Sequence, residues 1–209
     1  MDITVVFILG LVIAFIGVIP PGLLNMTVAK ISLKEGAGRG MLFSTGVCTV
    51  VGLQTYVAAI FAKYLSNNSE VMDILKRVAL VIFILITIYF LLLARKQPKL
   101  DVEANVRKKH QRFFQGIFLS SLNVFPIPYQ AYMTITLASF GWLTFETYNI
   151  ISYVAGASMG TFVMLYIYIF FFDKIKNDKV TSQKSMNYII GAVTGIIAVI
   201  TLVNIIKEL

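Results

Sequence analysis

Six runs of this chain contain no Asp, Glu, Lys, Arg or His over a length that can cross a bilayer, and nothing else limits its fold as much. They cover approximately residues 3–29, 40–62, 78–94, 113–140, 147–172 and 186–206. A helix needs about 20 apolar residues to traverse a hydrocarbon core roughly 30 Å thick. The period-two alternation of a membrane barrel is absent, so helices are expected. Charged residues make up 13% of the 209, and mean hydropathy is +0.83. A water-soluble domain carries closer to about a quarter. The expected fold class is an all-α integral membrane protein, with residues 1–209 as one membrane domain and no soluble domain. Met1-Asp2-Ile3 lacks a basic leader region and reads as the start of a retained first helix.

Net charge is +8, but the basic residues lie between apolar runs, which fits positive-inside topology better than nucleic-acid binding. Fourteen of the 18 fall in the first, third and fifth loops, among them Lys30, Lys34, Arg39, Arg95, Arg107, Arg112 and Lys176. Both termini are therefore expected outside the cytoplasm. The long third loop separates two halves of three spans each: residues 1–95, a basic linker 96–112, and residues 113–209. An odd number of spans inverts the second half relative to the first, so the spans should form two inverted three-helix repeats.

Four of the five prolines sit in two clusters, Pro20-Pro21 in span one and Pro126 with Pro128 in span four. Proline lacks an N–H and clashes with the carbonyl four residues back, so these should release the carbonyls of Ile16, Gly17, Leu122 and Val124. An unpaired backbone group in hydrocarbon costs several kcal/mol, so such breaks persist where they are buried or line a watery cavity. Two broken helices in corresponding spans are the best sequence-level pointer to a transporter's substrate site. The candidate binding residues are Gly17, Pro20, Pro21, Gly22, Asn25, Gln54, Asn123, Pro126, Pro128 and Gln130. The plainer reading is a pair of packing kinks.

These elements resemble the LysE/RhtB superfamily of amino-acid exporters. The resemblance rests on Gly17 with Pro20-Pro21-Gly22, on Gly36-Ala37-Gly38-Arg39-Gly40 running on to Gly46 and Gly52, on Phe113-Phe114-Gln115-Gly116, and on Leu122-Asn123-Val124-Phe125-Pro126. The chain is a divergent relative: Ile19 replaces an Asn before Pro20, Val124-Phe125 separate Asn123 from Pro126, and Gln54 stands near a usual acidic position. The resemblance implies export, gradient coupling and a bacterial inner membrane.

Without ionisable groups in the spans, no proton carrier is evident, and divalent-cation transport, which wants carboxylate ligands, is disfavoured. Glu35, Glu146 and Asp173 lie near span ends, where a contribution to proton coupling stays open and solvation is the ordinary reading. Cys48 is the single cysteine and His110 a lone loop histidine, so no metal or cofactor is expected. No nucleophile–base pair suggests an enzyme. Gly156-xxx-Gly160 and Gly191-xxx-Gly195 let helices approach, inside the chain or across a homodimer. The aromatic stretch Tyr166 to Phe172 reads as an interfacial belt. The expected function is alternating-access export of a small zwitterionic solute, an amino acid or derivative. The alternatives are a non-transport scaffold or accessory subunit, and a transporter of a lipid-like or cationic substrate. The lipid-like case predicts a lateral groove between spans.

Overall fold

The computed structural model describes residues 2–19, 22–67 and 109–175 without interruption, and also residues 77, 80–81, 84–85, 87–93, 188, 191–192, 195–196, 198–199, 201–203 and 205–206. Among the described residues the structure is helical, with no strand. Its helices are α1 (Ile3–Val18), α2 (Leu23–Glu35), α3 (Ala37–Ser66), α4 (Lys109–Leu122), α5 (Pro126–Ser139) and α6 (Thr147–Ile175), with a π-helical turn at Tyr89–Leu93. Ala37–Ser66 and Thr147–Phe171 are each long and apolar enough to cross a membrane. α1 and α2 qualify only as a pair, bent by 81° at their break. The described residues of 186–206 are all helical. Residues 94–108 and 176–187, which hold most of the basic residues of the third and fifth loops, lie outside the described residues.

Local chemistry sets the helix ends. Asp2 caps α1, its carboxylate accepting from the Thr4 N–H at 2.9 Å. Between α2 and α3, Gly36 takes φ +93°, a conformation that other residues rarely adopt.

The contacts form two compact units. The first comprises Met1–Tyr64 with Glu103–Ile175, and the second Leu65–Val102 with Lys176–Leu209. Each unit draws on both halves of the chain. In the second, a Cβ on Gly191 would come within 2.6 Å of Leu91 Cδ2.

In the first unit two helix pairs cross at backbone contact. A Cβ on Gly10 would lie 2.3 Å from Tyr153 O, and one on Gly156 only 2.0 Å from Phe7 O. Likewise Gly116 would meet Phe43 O at 2.2 Å and Gly46 would meet Phe113 O at 2.1 Å. Contacts advance together along both chains of each pair, Phe7 to Gly156 then Leu11 to Gly160, and Phe43 to Gly116 then Val47 to Ser120. α1 therefore runs parallel to α6, and α3 parallel to α4. Gly156 and Gly160 are thus occupied by contacts within the chain, as small residues in membrane helices commonly are.

The buried face of α1 is Val6, Gly10 and Ala14; that of α4 is Arg112, Gly116 and Ser120. Both follow the four-residue spacing of one helical face. An apolar cluster of Val6, Leu137, Leu143 and Tyr153 packs the amino-terminal parts of α1 and α6. A second cluster, including Val28, Phe43, Val47, Leu165 and Tyr168, joins α2, α3 and α6.

Candidate functional site

The two breaks border one cavity of about 80 Å³. From the first come Ala14, Gly17, Val18, Leu24 and Asn25, and from the second Asn123, Phe125, Pro126, Tyr129 and Gln130. α3 adds Val47 and Val51, and α6 adds Thr161 and Leu165. Among the described residues, none that lines the cavity is charged.

Five of the ten sequence candidates line this cavity: Gly17, Asn25, Asn123, Pro126 and Gln130. Pro20 and Pro21 lie outside the described residues. Gly22 is the N-cap of α2 and Pro128 an exposed residue of the first turn of α5; neither lines the cavity. Gln54 also stands behind the lining, where its side chain serves the second break.

A helix that stops inside the membrane leaves carbonyls without partners. At the first break side chains take them up. The Asn25 amide donates to Val18 O at 2.7 Å, and the Tyr168 hydroxyl to Ile19 O at 2.9 Å. Tyr129 crosses from α5 and donates to Ile13 O at 2.9 Å. Its ring lies where a Cβ on Gly17 would be, 2.8 Å from the nearest ring carbon, so Gly17 is what lets Tyr129 reach α1. At the second break the Gln54 amide donates to Ser120 O at 3.3 Å and Asn123 O at 2.9 Å.

The carbonyls served by side chains are therefore not the four expected from the proline positions. Ile16 O and Val124 O accept from the backbone N–H groups of Ile19 and Ile127, each at 3.2 Å. Short turns close these, and the side chains reach neighbouring carbonyls, Val18 and Ile19 at the first break and Ser120 and Asn123 at the second.

The deeper polar layer was less legible. Gln130 is 2% exposed, and its oxygen accepts from the Tyr153 hydroxyl at 2.7 Å. Tyr168, read in sequence as part of an aromatic belt, instead turns inward and is buried, while Tyr166, Phe170 and Phe171 of the same stretch are exposed. The three-to-four residue helical period separates them. Thr161, which the sequence reading missed, lines the cavity with a buried hydroxyl that has no hydrogen-bond partner. Gln54 Oε1 and Thr55 Oγ1 are likewise buried without one.

One charged cluster lies outside the cavity. Arg112 is 1% exposed, and its guanidinium grips both carboxylate oxygens of Glu35, with the Nε bond at 3.0 Å. Arg39 adds a weaker contact at 3.4 Å, and Gln115 accepts from Arg112. Glu35 is thus not solvated as expected. The Arg112 hydrogen bonds hold its carboxyl below its ordinary value, against desolvation and with help from the charges of Arg112 and Arg39. Glu146 is exposed, as expected. Among the described residues no three His, Cys, Asp or Glu come together as metal ligands would.

The LysE type translocator family model matches residues 15–204, nearly the whole chain. No curated protein and no solved structure matches it.

Proposed function

Because this chain belongs to the LysE type translocator family, we propose that it exports a small zwitterionic solute, an amino acid or derivative, as a secondary transporter using alternating access. The family is one of membrane transporters rather than enzymes. The observation that carries the substrate reading is the shared cavity. Two broken helices, far apart in sequence, bring Asn25, Asn123 and Gln130 to one neutral, buried space. A zwitterion has no net charge, so such a space can hold it if helix ends and polar side chains meet its two charged groups.

Six spans in two inverted repeats fit this mechanism, and internal matches support them. One offset carries Ile3, Phe7, Gly10 and Pro20 onto Lys109, Phe113, Gly116 and Pro126. A second carries Ala37, Phe43 and Gly46 onto Thr147, Tyr153 and Gly156. The first residues of α1 and α3 thereby fall on those of α4 and α6, and the glycine crossings exchange with one another. Both termini then lie on the non-cytoplasmic side of an inner membrane, and the partners are the solute and the bilayer.

A lipid-like substrate has one observation in its favour. A groove of about 680 Å³ runs between α3 and α6, lined by Thr49, Leu53, Tyr56, Met159 and Phe162 among others. It shares no lining residue with the cavity at the breaks, which favours the zwitterion.

The test is counterflow of radiolabelled L-amino acids, one at a time, into proteoliposomes holding the purified chain. At least one should accumulate, and Asn123→Ala should slow it. Failure of all of them would sink the transport reading and leave the scaffold alternative; full activity of Asn123→Ala would sink the substrate site as drawn.

A further inference from the structure

The hydroxyl of Thr161 departs from the usual pattern of these helices, as that of Thr55 does, but of the two only Thr161 lines the cavity. Thr49, Thr134 and Thr136 each donate back to the carbonyl four residues earlier, at 2.8–2.9 Å. That is the ordinary way a helix satisfies a hydroxyl away from water. Thr161 is 2% exposed, lines the cavity, and has no hydrogen-bond partner among the described residues. A buried polar atom left so is costly unless something that enters the cavity pairs with it.

The amino end of α2 borders the same cavity through Leu24 and Asn25. Its N-cap is Gly22, with no side-chain cap. The backbone ladder begins at Met26 N–H to Gly22 O, 3.0 Å, so the N–H groups of Leu23 and Leu24 precede any intrahelical acceptor. Such an end favours an anion. The amino end of α5, at the second break, does not. Pro126 and Pro128 have no N–H, and the Ile127 N–H is spent on Val124 O.

We propose that the first turn of α2 and the Thr161 hydroxyl together form the carboxylate subsite of the cavity, so that the solute's acid group binds at the first break and not the second. This rests on the zwitterion reading above and narrows it. The cavity is small enough that one occupant meets both groups. Among the described residues that line it there is no Lys or Arg to neutralise a phosphate dianion, whereas a monoanion is within reach of a helix end and one hydroxyl.

The experiment uses the purified full chain, with Thr161→Val and Thr161→Ser. Thermal unfolding is followed with each of the twenty L-amino acids and with the matching carboxamides, and counterflow is measured beside it. Thr161→Val removes an unpaired buried hydroxyl, so its ligand-free midpoint should equal or exceed that of the unaltered chain. At least one amino acid should stabilise the unaltered chain more than its carboxamide does. Thr161→Val should raise the concentration needed by roughly tenfold or more, and Thr161→Ser should restore it. Equal response to acid and carboxamide, an unchanged response in Thr161→Val, or no stabilisation by any acid overturns the subsite. Carboxylate-selective binding lost in Thr161→Val, without counterflow of any amino acid, leaves the subsite standing and ends the transport reading. Counterflow that Thr161→Val does not alter does the reverse.

Discussion

The two breaks solve one problem with different chemistry. At the first, α1 ends with carbonyls that Asn25 and Tyr168 take up, while α2 begins with N–H groups that no side chain caps. At the second, Gln54 takes up the carbonyls of α4, and α5 begins with prolines that leave little to cap. In the repeat proposed above, matched places in the two halves thus produce a donor-bearing break and a donor-poor one. Proline does two things here: it interrupts a helix, and it decides whether the next helix offers an N–H to a ligand. A second contrast follows the same correspondence. In that proposed repeat Val6, in an apolar cluster on α1, corresponds to Arg112 on α4, whose guanidinium is locked to Glu35 at the end of α2. One end of the unit is packed with hydrocarbon and the other with a buried ion pair.

The ion pair gives the largest expected effect. Glu35→Gln leaves Arg112 buried without its charge partner and should cost about 3–5 kcal/mol of stability in thermal or denaturant unfolding. Replacing both residues with Met should recover most of that, since a packed apolar pair of similar volume can substitute for a buried ion pair. Recovery would make this end resemble the one at Val6; failure would show that the charges do more than fill space. The sign of the pH effect follows from the lowered carboxyl of Glu35. Its contribution is present above the ordinary value of 4.5 and is lost as pH falls through the lowered one. Unfolding midpoints should therefore drop on acidification, and Glu35→Gln should flatten that part of the profile.

Next come the amides that close the breaks. Asn25→Ala strands Val18 O in a partly buried site and should cost about 1–3 kcal/mol. Gln54→Leu strands Asn123 O, while Ser120 O keeps the Asn123 N–H at 3.0 Å, and it also removes an oxygen without a partner among the described residues, so a net cost of about 1 kcal/mol is expected. If Gln54→Leu proved the more damaging, the second break would be the one that depends more on its amide. Gly17→Ala sets a methyl against the Tyr129 ring. Loss of the Tyr129 contact with Ile13 should cost about 1 kcal/mol. Smallest of all is Pro128→Ala, at an exposed position, expected to alter stability by about 0.5 kcal/mol or less. It would also return one N–H to the amino end of α5, so any new response to the carboxylate probes in this variant would reveal how far proline sets the asymmetry.

Much of the site was legible from residue types alone. A proline in an apolar run marks a break wherever the chain goes, and Asn beside it marks a group that needs a partner. The readings at Gly17, Asn25, Asn123, Pro126 and Gln130 led to cavity-lining residues for that reason. The errors arose where a side chain's role depends on which way it faces. Tyr168 and Tyr166 are two residues apart and point opposite ways. Arg112 and Glu35 looked like solvated loop charges until α2 and α4 were brought together. Pro128 shares the chemistry of Pro126 but sits on the far side of its turn.

From the sequence alone come the charge-free runs, the helical breaks and the resemblance to a translocator family, because hydrocarbon tolerates few charges and proline lacks an N–H in any setting. Tertiary structure alone decided that both breaks share one cavity, that Asn25 and Gln54 hold carbonyls instead of merely lining it, and that Thr161 keeps a hydroxyl in reserve there. Those outcomes depend on the glycine crossings that press α1 against α6 and α3 against α4. Hydrogen bonds act over about 3 Å, and only packing brings residues a hundred positions apart to that distance.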